Sequence, residues 1–328
     1  MLRPKAVALI LAMLFADAVL AQTCSRAIIT NATGANGFPI TNLATSDFKA
    51  SHRGQPLRIL NSGFRSDPSV RITILLDTSD SMAMDGGRYS VKWKIARDAA
   101  LDLVSSAPAQ AQISLMTFST SVGHRFNSTD GREPIKNWLN SDAVLKASEV
   151  EGLTALYATI FDAINEMKPA HPGDALYVIT DGGDTGGKES IAHVTRELQS
   201  TGTRLFAFLL NDSLGMSRTA QALYDLAKDS GGLTFIVNPY SAGTGWAGSG
   251  FARRYEYDEK KVSVVQADSR WAMAAMTNFY ILKAGVEGST KPEEWKLEIV
   301  DQHGEKRKDV TLTYPQKLEG CVVDSAVR

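Results

Sequence analysis

Asp77, Ser79 and Ser81 alternate along Asp77-Thr78-Ser79-Asp80-Ser81, directly after the apolar run Val70-Arg71-Ile72-Thr73-Ile74-Leu75-Leu76. That run reads as a buried strand. A carboxylate and two hydroxyls therefore fall in the turn past a strand's carboxyl end, where open α/β sheets bind ligands. These are hard oxygen donors, suited to Mg²⁺, Mn²⁺ or Ca²⁺ and not to zinc. The i, i+2, i+4 spacing lets three side chains converge if the turn curls round one point. Alone the pentapeptide is a weak signal, because serine and aspartate are common in turns. Two distant stretches strengthen it. Gly152-Leu153-Thr154-Ala155-Leu156-Tyr157 sets a hydroxyl just before a helix, and Leu176-Tyr-Val-Ile-Thr180-Asp181-Gly182-Gly183 sets a second carboxylate at the end of another apolar strand.

Taken together, Asp77/Ser79/Ser81, Thr154 and Asp181 resemble the metal-ion-dependent adhesion site of von Willebrand factor type A domains. All five ligand-type positions match in order and spacing, and G-x-T-A-L-Y and I-T-D-G-x-D-T are close to the family pattern. The resemblance is strong over residues 69–237. It departs at Asp80, where the family often has glycine; aspartate tolerates positive φ better than most residues, and it adds negative charge beside the site. The resemblance implies a divalent ion, Mg²⁺ or else Mn²⁺ or Ca²⁺, with an open position for an acidic side chain of a protein partner. Asp77 would bring charge, Ser79 and Ser81 would coordinate through hydroxyls, Thr154 would coordinate in one conformational state, and Asp181 would hold a coordinated water.

The expected function is accordingly metal-dependent protein binding, not catalysis. Two other classes compete with it. A metal-activated hydrolase could use the same aspartates, but no general base or acid is evident beside them. A purely structural domain would bind without metal. His52, His124, His171, His193 and His303 are scattered and make no H-x-x-x-H or H-E-x-x-H spacing. No G-x-S-x-G elbow occurs, and Ser79 has no identifiable histidine base. Asp85 and Asp184 stand near the metal loops; Asp184 is a candidate to orient the site from outside the ligand set, although turn aspartates are commonly just solvated. Gly243-x-Gly245-x-x-Gly248 matches the dinucleotide fingerprint in letters only, since no βαβ unit follows it. Asn31-Ala-Thr33, Asn127-Ser-Thr129 and Asn211-Asp-Ser213 match the glycosylation pattern, which matters only in a eukaryotic secretory route.

The chain has 328 residues with 44% hydrophobic content, enough for one large or two modest cores. Residues 1–21 read as a signal peptide: Arg3 and Lys5 precede the apolar stretch Ala6–Ala16, and Val19-Leu20-Ala21 gives a small-residue cleavage site before Gln22. The segment is too short to span a bilayer comfortably, and Gln22-Thr23 before Cys24 is no lipobox. The expected protein is exported, secreted or periplasmic, without membrane insertion. The formal charge is −1 with no basic block, which disfavours nucleic acid as a partner.

The elements that must position the site read as an α/β fold with a doubly wound, mostly parallel sheet. Residues 22–68 are a β-rich segment with a hairpin turning at Arg53-Gly54. Residues 69–238 alternate strands (70–76, 113–118, 174–180, 204–210, 233–237) with helices (89–104, 133–147, 155–167, 190–198, 219–227), and 121–126 can pair beside 113–118. Residues 239–258 read as a Gly-rich linker in which Trp246 and Phe251 could touch a partner. Residues 259–328 read as a helix and strands (279–286, 295–300, 310–314) that return to pair with the N-terminal segment. Both flanks also resemble the bacterial VWFA-related group, with Leu43 and Asp47-Phe48 in its lead motif. They would thus build a small accessory β-domain from both chain ends. Cys24 and Cys321, the two cysteines, lie at its extremities and in an exported chain are expected to form a disulfide.

Overall fold

Strands whose residues are apolar on both faces belong in a parallel sheet covered on both sides, and the centre of this chain behaves that way. The computed structural model describes residues 25–35, 37–85, 88–141, 152–211, 216–239, 252–256, 262–285 and 292–319. The N-terminal strands are β1 (Ser25–Gly34), β2 (Phe48–His52), β3 (Gln55–Leu57) and β4 (Ile59–Ser66). Next come β5 (Arg71–Asp77), α1 (Asp80–Ala83), the short β6 (Met84–Asp85) and β7 (Arg88–Tyr89), α2 (Val91–Ser106), β8 (Gln112–Phe118), β9 (Val122–Phe126) and α3 (Glu133–Asn140). They are followed by α4 (Leu156–Glu166), β10 (Ala175–Thr180), α5 (Ile191–Thr201), β11 (Arg204–Leu210), α6 (Arg218–Asp229), β12 (Thr234–Asn238) and β13 (Ala252–Glu256). The chain continues through α7 (Val262–Thr277), β14 (Asn278–Gly285), β15 (Pro292–Ile299), β16 (Val310–Thr313) and β17 (Lys317–Glu319).

Among the described residues, a seven-stranded sheet runs β13-β12-β11-β10-β5-β8-β9, parallel except for the β8–β9 pair. Every residue of β10 and β11 is buried, as is β5 from Ile72 onward. One face is covered by α2, α3 and α7, whose Trp93, Ile95, Leu103, Ile135, Leu139, Ala272 and Met276 share a core with Ile72, Ile74, Tyr177 and Phe208. The other face carries α4, α5 and α6. Serine caps set three of these helices: Ser90, Ser190 and Ser217 accept from the backbone N–H of Trp93, His193 and Ala220, satisfying donors that a helix start leaves open.

The two chain ends pair as expected. One antiparallel sheet runs β16-β1-β14-β4 and the other β17-β15-β2-β3, each mixing N-terminal and C-terminal strands. Their facing sides share a core of Ile28, Phe48, Ala50, Tyr280, Leu282, Trp295 and Leu297. The β2–β3 hairpin turns at Arg53 (φ 51°) and Gly54 (φ 76°), two positive-φ positions of the kind that match strand twist in a two-residue loop.

Two boundaries differ from the sequence reading. The expected linker over 239–258 fails at Ala252–Glu256, which joins the sheet edge parallel to β12. Backbone groups along an open edge accept a strand of almost any sequence, so no pattern announces it. The helix assigned with the terminal segment, α7, instead packs on the α/β core beside α2, because its apolar face complements that of α2 and not the sandwich. The proposed helix at 133–147 is seen over Glu133–Asn140; residues 142–151, the signal segment, Trp246, Phe251, Cys24 and Cys321 lie outside the described residues. Asn31 is 2% exposed and donates to the carbonyls of Ala275 and Asn278. It is therefore a buried joint between the units and no glycan acceptor.

Candidate metal centre

The first carboxylate is placed by the sheet itself. Asp77 is the last residue of β5, between β8 and β10, and is fully buried. Its Oδ1 accepts from the Ser79 backbone N–H at 2.8 Å and its Oδ2 from the Thr180 hydroxyl. Thr180 Oγ1 also accepts from Gly182 N at 3.1 Å, so one side chain ties the Asp77 carboxylate to the turn that carries Asp181. Burial pushes the Asp77 carboxyl up to about 7, the nearby Asp181 adds to that, and the bonds from Ser79 and Thr180 oppose it. A buried carboxylate so disfavoured as an anion gains most from a cation beside it.

The hydroxyls follow from the turn. Thr78 donates through both N and Oγ1 to the Phe118 carbonyl, pinning the loop to β8. Ser79 begins α1 by accepting from Met82 N and Ala83 N. This brings Ser79 Oγ within 3.4 Å of Ser81 Oγ. Ser79 is buried and Ser81 exposed, so the pair leads from the carboxylate to the surface.

Thr154, 4% exposed, reaches the same edge of the sheet through its backbone. Ala155 N donates to the Ser119 carbonyl just past β8, while Thr154 N donates to Thr185 Oγ1 and its carbonyl accepts from Thr185 N and Gly186 N. Gly182 carries φ 91°, and a Cβ there would lie 2.8 Å from Ala220 Cα, so the turn after Asp181 needs glycine both for its backbone and for its contact with α6. Asp184 has a definite role: it accepts from the backbone N–H groups of Leu156 and Tyr157 and so caps α4 from a different loop. Partial burial nonetheless raises its pKa. The side chain of Asp85 lies outside the described residues.

A residue that motif reading passed over completes the centre. Lys92, in the first turn of α2, places Nζ 3.0 Å from Asp181 Oδ2, with side-chain exposures of 7% and 16%. Thr180 was likewise passed over, although its place in Ile179-Thr180-Asp181-Gly182 marks it as the residue facing Asp77 across the β5–β10 pair.

Among the described residues, no three His, Cys, Asp or Glu side chains gather closely enough to hold a metal. A site here must be completed by hydroxyls, and the donor set of two carboxylates with serine and threonine oxygens fits a hard divalent ion. The five expected ligand residues thus lie on three segments at the carboxyl end of the sheet's central strands.

The solved structures similar to this chain include BatB from Bacteroides thetaiotaomicron, 17% identical over 62% of this chain and 98% of that one, with a TM-score of 0.41. A von Willebrand factor type A protein from Catenulispora acidiphila is 12% identical over 89% and 72%, with a TM-score of 0.44. The PilB minor pilin of Streptococcus sanguinis is 14% identical over 64% and 62%, with a TM-score of 0.41. No curated protein matches the chain. The model of the von Willebrand factor type A domain matches residues 72–244, which takes in all three loops of the centre and most of the sheet that holds them. By that match this chain belongs to the von Willebrand factor type A domain family.

Proposed function

We propose that this chain is an exported binding module in which a divalent ion, Mg²⁺ by preference, is held by Asp77, Ser79, Ser81, Thr154 and Asp181 and receives a carboxylate from a protein partner. The observation that carries the reading is the burial of Asp77, oriented through both oxygens and unfavourable as a lone anion. When bound, the ion supplies Lewis acidity and positive charge at the mouth of the site. The chain's own residues do the rest. Asp77 would supply a buried carboxylate to the ion, Ser79, Ser81 and Thr154 would offer neutral oxygens, and Asp181 would orient a water. Few directly bound carboxylates leave charge for an incoming acid.

Two exposed apolar residues adjoin site residues in sequence. Among the described residues three large apolar side chains are exposed: Phe38, Leu153, next in sequence to Thr154, and Val91, next to Lys92. An acidic residue flanked by apolar ones would suit exposed apolar side chains of this kind. Catalysis is not part of the proposal.

Calorimetric titration with Mg²⁺ or Mn²⁺ should show one site in the wild type and none in Asp77→Ala or Asp181→Ala. Partner capture from extracellular material should vanish in excess chelator. Equal ion affinity in the wild type and both variants would remove the site, and capture indifferent to chelator would remove the mechanism.

A further inference from the structure

Lys92 is in an expensive place. An ammonium in the first turn of a helix opposes the helix dipole, and burying one costs several kcal/mol unless it is paired. What the position does provide is contact with Asp181, 3.0 Å away.

The charges at the centre explain why such a contact would be kept. Among the described side chains, Asp77 and Asp181 bring two negative charges and Lys92 one positive charge; Asp80 is exposed, and Asp184 is engaged at the N-terminus of α4. With a divalent ion in place, the two carboxylates and Lys92 leave one net positive charge. With Lys92 neutral, the loaded centre would have none.

We propose that Lys92 sets the charge of the centre: it weakens ion binding and keeps the loaded site electropositive, so that an anionic side chain is drawn to it. The inference rests on the metal-binding reading above and adds a residue outside the ligand set that tunes it. Ion affinity and carboxylate affinity are then traded against each other at one position.

The test uses the full chain as wild type, Lys92→Gln and Lys92→Arg, with Lys92→Met as a second neutral variant that keeps the packing of the stem. Metal-free melting curves establish that each variant folds. Titration with Mn²⁺ alone should show Lys92→Gln or Lys92→Met binding about tenfold tighter than wild type, as expected for removing a like charge from a partly buried site. Lys92→Arg should stay near wild type. Acetate added to the Mn²⁺-loaded proteins, followed by water-proton relaxation, should displace bound water several-fold less readily in the neutral variants. Equal or weaker Mn²⁺ binding by the neutral variants, or an unchanged acetate response, overturns the role of Lys92 while wild-type binding leaves the metal reading standing. Absence of Mn²⁺ binding in every protein, wild type included, removes the metal reading and this inference together.

Discussion

Replacing Arg204 with methionine should loosen the seam between the α/β unit and the β-sandwich. Arg204 opens β11 and is 1% exposed. Its Nη1 donates to Asn31 Oδ1 at 3.2 Å and the Ala275 carbonyl at 2.8 Å; its Nη2 donates to the carbonyls of Gly173 at 3.1 Å and Met276 at 2.7 Å. The guanidinium also lies 4.8 Å from the centre of the Phe279 ring and 5.4 Å from that of Phe206. It thus caps the last carbonyls of α7, where a cation suits the helix dipole, and reaches β1 at the same time. Burial lowers its pKa to about 9, with Asp174 opposing, so it remains charged at neutral pH. Methionine fills much of the same space but removes the guanidinium donors to the carbonyls of Gly173 and Met276, each loss costing ~1–3 kcal/mol, while the Ala275 carbonyl keeps its bond from Asn31. Relief of the desolvated charge offsets part of this. The expected net loss is about 3 kcal/mol, read by equilibrium urea unfolding. Lys92 and the metal loops are remote from the substitution in sequence and element, so Mn²⁺ affinity of the folded variant should hold. Arg204→Lys should fall between, since one ammonium cannot span acceptors that the planar fork reaches together. A loss below about 1 kcal/mol for Arg204→Met would refute the assignment of Arg204 as the main polar joint.

The raised pKa of Asp77 gives a pH signature in chelator. Its folded value lies above its unfolded one, about 7 against 3.8, so the stability tied to its protonated form is full below pH 4 and is lost as pH rises through 7, by at most about 4 kcal/mol. Urea unfolding of wild type and Asp77→Asn across this range should show the slope in the former and its loss in the latter; parallel curves would contradict it. Gly232→Ala should abolish soluble expression or cost more than about 3 kcal/mol, because a Cβ there would sit 1.8 Å from the Leu205 carbonyl oxygen; a variant with a wild-type melting curve would refute the close approach. Cys24 and Cys321 should be joined within a monomer, contributing about 5 kcal/mol through the long loop they close. Peptide mapping without reductant checks this, and two free thiols would overturn it.

The loops of the candidate site were legible because each obeys a local rule: an apolar strand, then oxygen-bearing residues, then glycine or a helix start. That rule places Asp77, Ser79 and Ser81 in a turn past the strand; the structure ends β5 on Asp77 and carries Ser81 into α1, with Asp181 after β10 and Thr154 before α4. The alternation of strands and helices, the Arg53-Gly54 hairpin and the pairing of the two chain ends were legible for the same reason, being set by short-range periodicity and turn chemistry. Tertiary structure alone decided the rest. Lys92 looks like any helix-surface lysine until α2 is laid beside β10, Arg204 like a strand-edge charge until α7 and β1 close over it, and Asp184 like a solvated turn residue until α4 begins in front of it. β13 has no pattern of its own and exists because β12 offers it an open edge. In each case the partner lies far away in sequence, and the energy of burying or pairing a polar group depends on what surrounds it in space, which no local pattern encodes.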